Sequence, residues 1–291
     1  MSVEAPIIHD QQKSVQIRSV MISMTDVKKI FDRLYKQVSE EAETTIRKLK
    51  KPENQSTEDF EKEIEEIREQ AFRITITIEG KTGDNSASLF GDKSSLFDSP
   101  NLPESISTIF MTNTVAYERF TQRRPKNSFS LFLDFSKPKL LDGSTLVSSP
   151  TPNTSHLDIS GDRESWIASI NEAVMSTLSA RGQKRGWLHV GFVYDFGLLI
   201  AAWPIGLYAC WMASSQIERT LSNISSFLSA AAYLYIFIAA CWAYRIFFGY
   251  TKWAFPTVEL ESPRSSSRTH RKFWYVIICG LIVQIIWTLF Y

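Results

Sequence analysis

The chain is poor in the residues that usually announce chemistry. Among its 291 residues are only three cysteines, Cys210, Cys241 and Cys279, so no disulfide framework exists before position 210. Each cysteine falls in a different apolar segment, where a thiol behaves as a small hydrophobe, and the pattern fits a reducing compartment. The four histidines, His9, His156, His189 and His270, are dispersed and lack metal-ligand spacing. His156 and Asp158 lie two apart on an expected strand and so share a face, but no third ligand accompanies them. There is no nucleophile elbow, Cys–His pairing or HExxH.

Gly80-Lys81-Thr82 invites comparison with a phosphate-binding loop. That loop needs an earlier glycine where Thr75 stands, and a helix where Gly83-Asp84-Asn85-Ser86 offers turn chemistry. A turn is expected at Gly80. The expectation is therefore a non-enzyme with no catalytic residue, cofactor or metal.

A charge excess is also missing. The first 193 residues carry 25 Lys+Arg against 27 Asp+Glu, and the remainder 7 against 4. A nearly neutral N-terminal region gives no concentrated basic field for phosphate backbones, so no nucleic-acid partner is expected. The opening MSVEAPIIHDQQKSVQIRS has no apolar core behind a basic end and does not read as a secretory signal.

What the chain does have is three long uncharged runs: 196–217, 220–244 and 273–291. At about 1.5 Å of rise per residue, each can cross a hydrocarbon core of about 30 Å. The division expected is 1–185 as a soluble α+β domain and 186–291 as an all-α membrane domain of three transmembrane helices.

Within 1–185, residues 14–24 read as a short strand. Val27, Ile30, Phe31, Leu34, Val38, Ala42, Ile46 and Leu49 recur at helical spacing, with Thr25 or Asp26 as the cap and Pro52 as the stop. A second helix follows Ser56 with Phe60, Ile64, Ile67 and Ala71 on one face, giving an antiparallel helical hairpin. Phe72 to Glu79 alternates strictly and reads as a half-buried strand. Residues 106–121 and 129–135 read as two strands of a hairpin whose tip, Arg123, Arg124 and Lys126, is a candidate contact for an anion or lipid. A connector (136–155), a strand (His156–Ser160) and a closing helix with Trp166, Ile167, Ile170, Val174 and Leu178 inward complete the domain. The order implies an antiparallel sheet packed by helices.

Charge predicts the threading. Basic segments precede the first run (Arg181, Lys184, Arg185) and the third (Lys252, Arg264, Arg268, Arg271 and Lys272 against Glu259 and Glu261), while the link between the first two holds only Glu218 and Arg219. The positive-inside rule then puts the soluble domain in the cytoplasm and Tyr291 on the opposite side of the cell membrane. The spans offer candidate helix-packing pairs at four-residue spacing: Gly197 with Ala201, Ser226 with Ala230, and Ala239 with Ala243. Gln284 is the candidate pore or polar membrane position, with the hydroxyls of Tyr208, Ser229, Tyr233 and Tyr235.

The expected function is a cytosolic binding or sensing module, with a cytosolic protein partner, anchored in the bilayer and brought into homo-oligomers by its helices. The alternative is an oligomeric channel or membrane-perturbing effector gated by that domain.

Overall fold

The computed structural model describes residues 11–138, 151, 153–221, 224–261 and 266–290. The chain forms two compact units. The first comprises Met1–Ser136, Asn153–Gln183 and Val258–Ser262, and the second Lys137–Pro152, Lys184–Thr257 and Pro263–Tyr291.

The first unit is α+β. Strands β1 (Gln11–Gln16), β3 (Thr75–Thr82), β4 (Asn85–Gly91), β5 (Ser105–Thr112), β6 (Ser128–Asp134) and β7 (His156–Gly161) make one antiparallel sheet, ordered β1-β7-β6-β5-β3-β4. Alternation decides its faces. Ile76, Ile78, Ile109, Met111, Phe129, Leu131, Leu133, Leu157 and Ile159 are buried on one side. Helices α1 (Met24–Ile46) and α4 (Glu164–Ala180) add Val27, Ile30, Phe31, Leu34, Val38, Trp166, Ile170 and Val174 to the same core. Between α1 and β3, α2 (Thr57–Gln70) is capped by Ser56 and tied to α1 by Arg68–Glu43 at 2.9 Å. No α2 residue is buried; Ile64 and Ile67 only lean on the core.

Local corrections have local causes. The cap of α1 is Ser23, not Thr25 or Asp26: Ser23 is extended, its hydroxyl accepts from Asp26 N, and the Asp26 carboxylate accepts from Ser23 N. Strand β3 runs through Gly80 to Thr82, so the turn expected there sits at Gly83, in the left-handed region at φ +60°. Gly80 marks a bulge, and a Cβ there would lie 2.2 Å from Ser105 O.

Residues 106–121 are not one strand. After β5 the chain turns into α3 (Thr114–Thr121) and leaves it through Gln122 at φ 56°. Asn113 causes the diversion: its amide donates to Asn127 O (3.0 Å) and accepts from Phe129 N (2.9 Å), bracketing the start of β6. β5 and β6 still pair antiparallel, but across a helical excursion.

A second, smaller sheet joins distant parts of the chain. β2 (Val20–Ser23) pairs in parallel with β8 (Val258–Glu261). Its other side bonds the end of α4: Met21 N donates to Arg181 O (3.2 Å), Gln183 N to Ser19 O (2.6 Å), and Val20 bridges Gly182. Arg181 also pairs with Asp26 at 3.0 Å.

The second unit is helical: α5 (Gly191–Gly197), a π turn (Leu198–Ala202), α6 (Trp203–Leu221), α7 (Ser226–Ala254) and α8 (Ser266–Phe290). The π turn ends two residues before Pro204, whose missing N–H and ring disrupt a regular helix. Among the described residues two stretches, Gly191–Leu221 and Ser226–Ala254, are long and apolar enough to cross a membrane, against the three expected. Both exceed their uncharged cores. Glu218 and Arg219, expected as a link, lie within α6, because neither residue breaks a helix. Gly206 lets the α6 backbone approach Phe237 and Ala240 of α7; a Cβ there would meet the Phe237 ring at 2.9 Å.

Candidate functional site

With one face of the large sheet buried, the other is left as a surface of the first unit. Strand register places Phe90, Thr77, Phe110, Phe132, His156 and Gln16 in one row across all six strands. Phe110 and Phe132 have centroids 6.4 Å apart, Phe132 and His156 5.8 Å, and Phe90 at the end of the row is 69% exposed. Carboxylates flank the row on both sides. Glu79 accepts from the Thr108 hydroxyl (3.1 Å), Asp134 from Ser136 N (2.9 Å), and Asp158 lies 3.3 Å from His156 Nε2. Thr75 and Ser130 add hydroxyls. The face therefore combines a flat aromatic strip with acidic edges, suited to apolar and basic side chains rather than to phosphate. A shallow polar groove of about 370 Å³ lies between α1 and α4, where Arg33 donates to Ser176 and Thr177.

The expected anion or lipid contacts are surface residues of the connection after α3. Arg123, Arg124 and Lys126 are exposed, and Arg124 lies 3.2 Å from Glu118. Beneath them is a buried network that the sequence pattern did not disclose. Asn127 Nδ2 donates to Glu41 (2.7 Å), its Oδ1 accepts from Asp162 N (3.2 Å), and Glu41 also pairs with Arg163. A buried asparagine between a turn proline and a strand was its only sequence trace.

His156 and Asp158 share a face as their spacing requires. Among the described residues no three His, Cys, Asp or Glu side chains gather as a metal site would need.

In the helical unit, Gly197 meets α7, where an added Cβ would lie 2.1 Å from the Tyr244 hydroxyl, and Ala201 lies in the π turn. Ser226, Ala230, Ala239 and Ala243 are exposed on α7, so the α6–α7 seam uses Ala202, Gly206, Phe237 and Ala240 instead. Gln284 is exposed on α8. Tyr208 and Tyr235 are exposed, whereas Tyr233 is half-buried with its carbonyl near Cys210 Sγ (3.3 Å). Tyr233 and Tyr235 stand two residues apart on a helix and point to different sides, so these hydroxyls do not line one face.

The most elaborate side-chain cluster of this unit surrounds the end of α7. His189 Nε2 donates to Phe255 O (2.7 Å), leaving Nδ1 to accept from the Thr151 hydroxyl (2.9 Å). Burial holds His189 below the usual imidazole range against the Phe255 hydrogen bond, and the Lys252 charge adds to the depression. Arg271 Nε donates to Ala254 O (2.9 Å) and Trp274 Nε1 to the Thr251 hydroxyl (2.9 Å). Side chains thus satisfy the carbonyl of Ala254, the last residue of α7, and that of the cap residue Phe255. The guanidinium carbons of Arg185 and Arg271 lie 4.9 and 5.4 Å from the Phe255 ring centroid, and Lys252 Nζ lies 5.2 Å from that of Phe248.

No family model matches the chain, and no curated protein or solved structure matches it.

Proposed function

We propose that the chain is a multi-pass membrane protein whose N-terminal α+β unit is a cytosolic binding module. The observation that carries the module is the open sheet face, with its aromatic row between Glu79, Asp134 and Asp158. Its partner is a protein segment with apolar and basic side chains, matched to that strip by shape and charge. The helices anchor the module, and the exposed Ala230, Ala239 and Ala243 offer close-packing positions to a further copy.

The β2–β8 ladder supports the threading. The segment leading into α5 and the strand between α7 and α8 both hydrogen-bond to β2. A strand built into a folded soluble unit lies on that unit's side of the bilayer, so the chain crosses an even number of times between 183 and 258. Two candidate spans occupy that interval. Basic residues on both links support a cytoplasmic location for that side, with α8 as the proposed third crossing.

The test is photo-crosslinking in intact cells of the source organism, with the full chain carrying a photoreactive residue at Phe90 or Phe132, beside a control at Glu66 on α2. The expected result is a discrete adduct from the sheet positions alone that disappears when Asp134→Lys and Asp158→Lys are added. Absence of an adduct at both sheet positions would overturn the module. Modification of an exposed cysteine at Ser88→Cys only from outside intact cells would overturn the threading.

A further inference from the structure

Among the described residues, every strand of the large sheet lies between two neighbours except β1 and β4. The two edges differ. β1 carries Lys13 in its middle, and a charge there discourages a further strand. β4, Asn-Ser-Ala-Ser-Leu-Phe-Gly, has neither charge nor proline over its seven residues. Its pairing with β3 runs without a shift from Asn85 to Gly91, since the bulge at Gly80 breaks the register with β5 but not with β4. Every second residue of β4 therefore turns its N–H and C=O away from the sheet, and no bulge, proline or charge blunts that edge.

The strand is also complementary to itself. Set antiparallel about a two-fold axis at Ser88, it pairs Ser88 with its own copy, Ala87 with Leu89, Ser86 with Phe90 and Asn85 with Gly91. Serine meets serine, phenylalanine meets a small residue, and no like charges oppose within the ladder. At its ends Asp84 comes opposite Asp92, whose carboxylate is already answered by Arg73 at 2.8 Å. Ser86, Ser88 and Phe90 are exposed and Ala87 and Leu89 half-buried, so all five have surface left to lose across such a seam.

We propose that β4 is the seam of a homodimer, in which the β4 strands of two copies pair antiparallel and join two six-stranded sheets into one. The self-complementary register is what selects a second copy over a foreign strand. A two-fold through an antiparallel seam keeps paired residues on one face, so both aromatic rows share a face of the joined sheet. Seven residue pairs make a small interface, and the pairing draws strength from the raised effective concentration of copies anchored in one bilayer. In that respect it rests on the membrane reading above; it does not depend on the sheet-face partner.

The test reconstitutes the full chain in lipid vesicles, with fluorescent donor- and acceptor-labelled copies mixed, and follows energy transfer as the protein-to-lipid ratio rises. In Ser88→Lys and in Ser88→Glu the ratio for half the transfer is expected to rise roughly fivefold, because like charges face each other across the seam. Mixing Ser88→Lys with Ser88→Glu restores the parent's transfer, an outcome that damage to the fold cannot produce. Ser14→Lys and Ser14→Glu, on β1, match the parent. Oxidation of Ser88→Cys in a chain carrying Cys210→Ala, Cys241→Ala and Cys279→Ala gives a disulfide-linked dimer, where Ser14→Cys in the same chain gives none. Four results would each overturn the seam: a parent without transfer, transfer unchanged in both Ser88 variants (as packing through the helices alone would leave it), a mixture no better than its components, or no Ser88→Cys dimer. None of them bears on the adduct expected at Phe132. The membrane reading fails separately, if carbonate extraction releases the chain from membranes.

Discussion

Removing two methyl groups at position 258 will weaken strands encoded more than a hundred residues earlier. Val258 is 2% exposed, opposes Val20 in the parallel ladder, and belongs to the core of the first unit. At about 0.8 kcal/mol for each buried methyl, with a further contribution from the cavity left, Val258→Ala costs about 2 kcal/mol. Hydrogen exchange of the full chain in detergent, read on peptides covering β5 and β6, isolates the effect from the helical unit. If those amides exchange through unfolding of the unit as a whole, about 2 kcal/mol accelerates them roughly 30-fold. Val276→Ala deletes the same atoms where the side chain is 71% exposed and is expected to change exchange less than about twofold. Unchanged protection of β5 and β6 in Val258→Ala would refute the argument that β8 is an integral strand of this core.

Two further outcomes are expected. Asn127→Ala removes an amide that joins Glu41 to Asp162 N, and leaves the Glu41 carboxylate short of a buried donor. A loss of about 2–3 kcal/mol is expected in the same exchange measurement, and an effect no larger than that of Val276→Ala would contradict it. The depressed His189 means that the unfolded chain takes up a proton at a higher pH than the fold does. Stability from this site is therefore complete above the ordinary histidine value of 6.5 and declines as pH falls below it toward the lower folded value. His189→Gln, whose amide can donate to Phe255 O and accept from Thr151, is expected to flatten that decline in a thermal-unfolding series from pH 7 to pH 5; an unchanged slope would show that other groups cause it.

The sequence by itself determined what periodicity and length can determine. The buried stripes of α1 and α4, the alternation of β3, β6 and β7, and the apolar runs that became α6 and α7 were all legible, because solvent exclusion writes them at fixed spacing within a few residues. The tertiary structure decided whatever depends on residues far apart. Asn113 looks like any turn former until its bonds to Asn127 and Phe129 show why the chain makes a helix where β-branched residues favoured a strand. Val258 to Glu261 alternates apolar and acidic residues, but for only four residues between helices, and becomes a strand because β2 supplies its hydrogen bonds. The aromatic row on the open sheet was hidden for the same reason: Phe90, Phe110, Phe132 and His156 come from four strands, and only their register brings them into line. Arg185 and Arg271 likewise met on Phe255 only through folding, which no local spacing encodes.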